Sequence, residues 1–321
     1  MECPLLSVVI AVRPDQKLIH AVDSARRLDY PPDRMEMLVA RGRQPSAQRN
    51  AAIRRARGDW IYFLDDDSMP CPGNARRLLP HADDHRIVAV GGPSLCPPDA
   101  SALELAFGAV MAHPLAFGPS AARYRATGVV RDSTEKELIL CNLFMRRDVL
   151  LASGGFDEAL YPNEENALMD DLLKQGRRLI YDPGLWVFRR PRPTFAAFTR
   201  MVFTYGRGRA EQIRLHPSMG SMINCAPSLF CLYLASLPWL PRWAWIGLAL
   251  YMLGLISALG LERARPADPA APVPPRVAWW KTAGLIVITH LGYGLGFWRG
   301  LFTRLRRVEH PEGVPVTVEE L

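Results

Sequence analysis

The sequence predicts an α/β chain in which a doubly wound, mostly parallel sheet domain is followed by apolar C-terminal helices. Three observations predict it. From residue 5 to 64, short β-branched or aromatic runs alternate with helix-period segments, the pattern of βαβ units. Residues 223 to 261 and 279 to 298 are almost free of acids and carry long apolar runs, which are long enough to span a bilayer. Between these regions, arginines accumulate from Arg177 to Arg214.

Leu5 to Val12 reads as the first strand, and Asp15 to Leu28 has helical apolar spacing through Leu18, Ile19, Val22, Ala25 and Leu28. Met35 to Ala40 is the second strand. Ser46 caps a helix from Ala47 to Ala56, and Gly58 closes it. Trp60-Ile61-Tyr62-Phe63-Leu64 is the third strand, and it ends abruptly in Asp65-Asp66-Asp67. Ligands of parallel sheets gather at the carboxyl ends of the strands. Asp65 and Asp67 are two apart, so extended backbone points them to the same side, where two hard oxygen donors suit a divalent cation carrying a diphosphate. Asp66 faces the other way. A solvated acidic turn is the alternative.

Arg76 to His81 begins a further helix, Ile87 to Pro93 reads as a strand with a tight turn, and Ala102 to Met111 as a helix. A loop rich in Gly, Ser and Arg follows, through Gly118, Arg123, Arg125 and Arg131. Leu138 to Met145 is strand-like and Arg147 to Ser153 a short helix. Asn163 then caps a helix that runs to Gln175 and stops at Gly176, with Glu164 and Glu165 in its first turn. There they complement the helix dipole, or serve as a general base that the positive helix end keeps ionised.

An apolar fraction of 49% and a charged fraction of 22% describe a globular average. No leading apolar stretch resembles a signal peptide, so the N-terminal part is expected in the cytoplasm. Six cysteines without a CxxC pair read as reduced thiols, which excludes a disulfide frame or zinc site as the organising principle. The net charge of +7 sits mainly beside the apolar segments, and so favours an anionic membrane surface, at roughly 1 kcal/mol per basic residue, over nucleic acid. Phe195, Phe198, Met201, Val202 and Tyr205 interleave with Arg200, Arg207, Arg209 and Arg214, as in an interfacial amphipathic helix. Met222–Leu240, Trp243–Leu261 and Trp279–Trp298 are the candidate spans, with tryptophans at their ends. His290 reads as a packed or helix-bridging residue. Arg263, Arg265 and Arg276 argue for a cytoplasmic linker, while Arg304, Arg306 and Arg307 argue for a cytoplasmic C-terminus. Both hold only if 222–240 is re-entrant or interfacial; otherwise one cluster lies outside.

In order along the chain, Ser7-Val8-Val9-Ile10, Ser46-Ala47-Gln48-Arg49-Asn50-Ala51-Ala52 before Gly58-Asp59, Phe63-Leu64-Asp65-Asp66-Asp67, Asn142-Leu143-Phe144-Met145-Arg146-Arg147, Gly154-Gly155-Phe156-Asp157-Glu158 and Asn163-Glu164-Glu165 resemble the motifs of family 2 glycosyltransferases of the GT-A fold. The likeness is greatest to the succinoglycan type. It implies a cytoplasmic GT-A catalytic domain over 1–192, a basic interface region over 193–221, a membrane domain with two to three spans over 222–308 and a polar tail over 309–321. It also implies that Asp65 and Asp67 hold Mg²⁺ or Mn²⁺, that Asp65, Asp66, Arg49 and Asn50 line the nucleotide diphosphate sugar site, and that Glu165 is the catalytic base, with Glu164 as the other candidate. Arg207 and Arg209 stand near the place of an interface-helix motif of processive relatives, as diphosphate partners or as interfacial anchors. The expected activity is metal-dependent, inverting transfer of a hexose to a lipid-linked, membrane-presented acceptor at the inner (cytoplasmic) membrane, a polyprenyl diphosphate-linked glycan in polysaccharide assembly. A polyprenyl phosphate glycosyltransferase and an inactive nucleotide-sugar-binding partner are the rivals. The chain departs from the family where Ala11-Val12-Arg13-Pro14 replaces Pro-x-x-Asn and where Ala40-Arg41-Gly42 replaces a strand-end Asp.

Overall fold

The computed structural model describes residues 3–17, 19–158, 160, 163–215, 225–264, 272, 275, 277–303 and 315–321. From the N-terminus the elements are β1 (Leu6–Val12), α1 (His20–Ala25), β2 (Met35–Arg41), α2 (Pro45–Arg55), β3 (Trp60–Asp65), β4 (Met69–Pro70), α3 (Asn74–Leu78), β5 (Ile87–Gly91), β6 (Ser94–Leu95), α4 (Ala102–Met111) and α5 (Pro114–Phe117). They continue with β7 (Arg131–Ser133), β8 (Asn142–Arg146), α6 (Arg147–Ala152), α7 (Glu164–Lys174), β9 (Arg178–Tyr181), β10 (Val187–Phe188), α8 (Phe195–Leu215), α9 (Ala226–Ser236), α10 (Trp245–Ala264), α11 (Trp279–Phe302) and β11 (Thr317–Glu320). They form two compact units. The first holds the chain through Pro97, Ala122–Arg190 and the C-terminal strand; the second holds Pro98–Ala121 and the helices after Pro191.

The first unit has an eight-stranded sheet in the order β11-β2-β1-β3-β8-β5-β9-β7. β2, β1 and β3 run parallel, as do β5 and β9. β8 lies between β3 and β5 antiparallel to both, so the sheet is mixed in the manner of GT-A-like folds. Side chains of β3 alternate between two layers: Trp60, Tyr62 and Leu64 enter one apolar cluster, and Ile61 and Phe63 the other. Both faces being covered is why the sequence reads as an almost continuous apolar run. Tyr62 stacks on Phe144 at 3.9 Å and donates to Asn142 Oδ1 at 2.7 Å, which pins β8 to β3. A small second sheet, β4-β10-β6, lies beyond the ends of β3 and β5.

Several elements depart from the sequence reading. The first helix is confined to His20–Ala25, and Leu18 lies outside the described residues. The cap of α2 is Gln44, whose side chain accepts from the Ala47 amide, with Pro45 opening the helix in place of the expected Ser46 cap. The strand expected from Leu138 begins only at Asn142. The polar tail contains β11, which pairs antiparallel with β2, places Glu319 3.1 Å from the Arg41 guanidinium, and packs Val318 against the core.

In the second unit, α8 and α11 pack backbone to backbone. A Cβ on Gly206 would stand 2.0 Å from the Tyr293 carbonyl oxygen, and one on Gly296 2.0 Å from that of Phe203. Small residues permit this approach, as in lipid-embedded helix pairs. Phe107 of α4 stacks on Phe198 of α8 at 4.2 Å. His290 bridges the Tyr251 hydroxyl and the Leu115 carbonyl at 2.8 and 2.7 Å, the helix-bridging role its position suggested. Two helices, Arg242–Leu261 and Trp279–Phe302, are long and apolar enough to cross a membrane, and α10 leaves Ile246, Leu250, Leu253 and Leu261 exposed. Among the described residues the 222–240 segment forms the shorter apolar helix Ala226–Trp239 and not a helix of spanning length, and Met222 to Asn224 lie outside the described residues. So do Arg265, Arg276, Arg304, Arg306 and Arg307.

Gly206→Leu and Gly296→Leu should each lower the unfolding midpoint of the detergent-solubilised protein, at a cost of about 1–3 kcal/mol or more for forced overpacking. Gly284→Ala, where nothing stands within 4 Å of the new Cβ, should leave the midpoint unchanged or raise it. Equal sensitivity at all three positions would refute backbone-close packing as the basis of this helix pair.

Candidate active site

Asp65 is the last residue of β3, level with Ala11 of β1. The chain turns there: the Ser68 amide donates to the Asp65 carbonyl at 3.0 Å, and the Asp65 amide donates to Ser68 Oγ at 3.2 Å. The turn splits the three acids. Asp66 diverges, its carboxylate taking a hydrogen bond from Gln16 Nε2 and its carbonyl one from the Ala21 amide. Asp65 and Asp67 converge on a single guanidinium, that of Arg189, at 3.0 and 2.7 Å.

Arg49 of α2 connects this turn to α7. Its Nη2 lies 3.1 Å from Asp65 Oδ1 and its Nη1 3.0 Å from Glu164 Oε1. Both Arg49 and Glu164 are buried. Burial pushes the Glu164 carboxyl up to about 8, helped by the neighbouring Glu165 and opposed by Arg49. Glu165 is half-buried, and among the described residues no hydrogen bond or ion pair holds its carboxylate.

α7 is presented by a fixed entry. Asn50 spends its amide on the loop before it: Nδ2 donates to the Phe156 carbonyl and to Glu158 Oε1, both at 2.9 Å, and Oδ1 accepts from the Phe156 amide. Gly155, at φ +81°, passes so close that a Cβ would stand 2.4 Å from Asn50 Oδ1. Asn50 therefore holds the loop and has no free amide for a ligand. Asn163 caps α7 from a left-handed conformation, φ 102°, with its Oδ1 accepting from Asn166 Nδ2 at 3.1 Å in place of a capping bond to the backbone. Arg207 and Arg209 belong to α8 of the second unit. There Arg207 lies 3.5 Å from Glu211 and Arg209 donates to Gln212 at 3.0 Å.

Two converging carboxylates fit Mg²⁺ or Mn²⁺ bound largely through substrate phosphates, since such ions need only one or two protein carboxylates. Among the described residues no third His, Cys, Asp or Glu completes a metal cluster.

The family model described as Glycosyl transferase family 2 matches residues 17–150. Those residues form a family 2 glycosyltransferase domain. The matched span contains Arg49, Asn50 and all three acids and ends before α7. The chain is 30% identical over 51% of its length to the succinoglycan biosynthesis protein ExoA of Rhizobium meliloti (strain 1021), covering 48% of it. To ExoO of the same organism it is 31% identical over 48% of its length, covering 44%. It thus spans about half the length of these relatives. A mannosyltransferase from Pyrobaculum calidifontis, solved with GDP-Man and Mn²⁺, shares the fold at 17% identity and a TM-score of 0.53, with 93% of this chain and 87% of that one covered.

Arg189 is the residue that sequence reasoning missed. Its signal was the density of Phe188-Arg189-Arg190-Pro191-Arg192 directly before the apolar region, which was absorbed into the membrane-facing charge. Gln16, which holds Asp66, carried no signal.

Because the Glu164 carboxyl is raised from 4.5 to about 8, the folded protein binds this proton more tightly than the unfolded chain. Its contribution to stability is complete below about pH 4.5 and is lost as pH rises through about 8. Urea unfolding of the ligand-free protein should show wild-type stability falling across that window more steeply than that of Glu164→Gln. Parallel profiles would mean that Glu164 is ionised in the folded state.

Proposed function

We propose that this protein is an inverting glycosyltransferase that moves a sugar from a nucleotide diphosphate sugar to a membrane-presented acceptor. The observation that carries the reading is one guanidinium, Arg49, joining the Asp65 end of the acidic turn to the first turn of α7, which also carries Glu165. Asp65 and Asp67 would hold the metal, and a bound Mg²⁺ or Mn²⁺ supplies Lewis-acid stabilisation of the leaving diphosphate. Glu165, half-buried and free of partners among the described residues, takes the proton of the acceptor hydroxyl as that oxygen attacks the anomeric carbon, inverting the configuration in one displacement. Glu164, buried and held by Arg49, positions the helix turn that carries the base.

A polyprenyl diphosphate-linked glycan in polysaccharide assembly is the acceptor we infer. The two helices fit to cross a membrane, the basic face of α8 and the likeness to two succinoglycan biosynthesis proteins support it. The same features support a catalytic domain on the cytoplasmic face of the inner membrane, with Arg207 and Arg209 near lipid head groups or an acceptor phosphate.

Calorimetric titration of UDP-, GDP- and other nucleotide sugars, with and without Mn²⁺, tests the reading. One donor should bind in a metal-dependent manner, and Asp67→Ala should abolish that binding. Glu165→Gln should leave donor affinity intact and lower turnover by about 10²–10⁴. Wild-type turnover in Glu165→Gln would move the base to Glu164, and the absence of any donor binding would favour an inactive nucleotide-sugar-binding partner.

A further inference from the structure

Arg189 stands where Asp65 and Asp67 would clasp a cation. Its Nη2 is 3.0 Å from Asp65 Oδ2 and its Nε 2.7 Å from Asp67 Oδ1, while the other Asp65 oxygen is held by Arg49. The backbone at Arg189 is anchored, its amide donating to the Leu95 carbonyl at 3.0 Å directly after β10. The side chain is nonetheless 27% exposed and that of Asp67 43%, so the pair can be reached from solvent.

We propose that Arg189 is an internal counter-cation that occupies the divalent-ion position, so that the metal enters only together with the donor diphosphate, onto which the displaced guanidinium then moves. This rests on the reading of the acidic turn as a nucleotide-sugar site. Two carboxylates and the two guanidiniums on them, Arg189 and Arg49, leave no net charge to attract a cation. A bare divalent ion would have to break two charge-assisted hydrogen bonds and then sit beside an unpartnered guanidinium of like sign. An ion that arrives with a diphosphate carrying two negative charges leaves the cluster charge unchanged. The diphosphate also offers the guanidinium a partner of the fork geometry it matches. With only two protein carboxylates in reach, the ion in turn depends on phosphate oxygens to fill its coordination. Arg189 thereby acts as a positioning residue that makes metal and donor binding one event and keeps the acids paired between turnovers.

The test is Mn²⁺ binding to the full-length protein in detergent, read from the free-Mn²⁺ electron paramagnetic resonance signal, with GDP and UDP affinity measured separately by calorimetry. Wild type should bind Mn²⁺ alone weakly, and Mn²⁺ should strengthen binding of GDP or UDP. Arg189→Gln should bind Mn²⁺ alone about tenfold or more tightly than wild type, and adding Asp67→Ala should remove that gain. Arg189→Lys, which keeps the charge, should resemble wild type. If wild type binds Mn²⁺ as tightly without a nucleotide as with one, the proposal is wrong whether or not the variants fold. It also fails if folded Arg189→Gln shows no gain while a nucleotide sugar still binds wild type with Mn²⁺, an outcome that leaves the proposed function standing. If wild type binds neither Mn²⁺ nor any nucleotide sugar, both ideas fall.

Discussion

A guanidinium withdrawn from water needs carboxylates within reach, and Arg49 finds them on two segments of the chain that have no local reason to meet. Asp65 belongs to the end of a central strand, and Glu164 to the first turn of a helix 115 positions beyond Arg49. Removing either acid would leave the buried guanidinium short of one of its two partners, so the interaction constrains the positions of the strand end and the helix start together. The supports are arranged around it. Asn50, one residue along on α2, fixes the loop that enters α7, and Gln44 at the cap of the same helix donates to the Glu158 carbonyl at 2.8 Å. One face of a single short helix therefore sets the geometry on both sides of the site.

The acids and the glutamates were legible in the sequence for different reasons. The acidic turn follows a strand whose apolar run is buried on both faces, and only a strand end at the rim of a sheet tolerates three consecutive carboxylates after such a run. Glu164 and Glu165 were legible through the helix start at Asn163. Their division of labour was not, because burial and the approach of Arg49 distinguish them, and both are tertiary facts. Arg189 was invisible for a related reason. In a chain with so many arginines, position along the sequence marks a charge, and only the fold reveals which one faces the acids.

The fold was legible where periodicity and burial coincide. The first three strands and α4 follow the apolar pattern closely. The antiparallel β8 was not legible, because a strand buried on both sides has no sequence signature for its direction. The apolar segment around α9 was read as long enough to span because composition alone does not reveal that the helix tightens at Leu237–Trp239 and gives way to extended backbone at Leu240. Sequence patterning, in short, measures how much of an element is buried, and says little about how far it extends in one direction.

β11 carries a consequence for the order in which the protein is made. It follows every other described strand, yet its place is beside β2, which precedes all the helices of the second unit. Until the ribosome has passed every helix of the second unit, β2 has an open row of backbone donors and acceptors, and such an edge is a template for pairing with other chains. Domains emerge and fold from the N-terminus during synthesis. The nascent sheet must therefore wait, open at that edge, until β11 follows the apolar helices and pairs with β2.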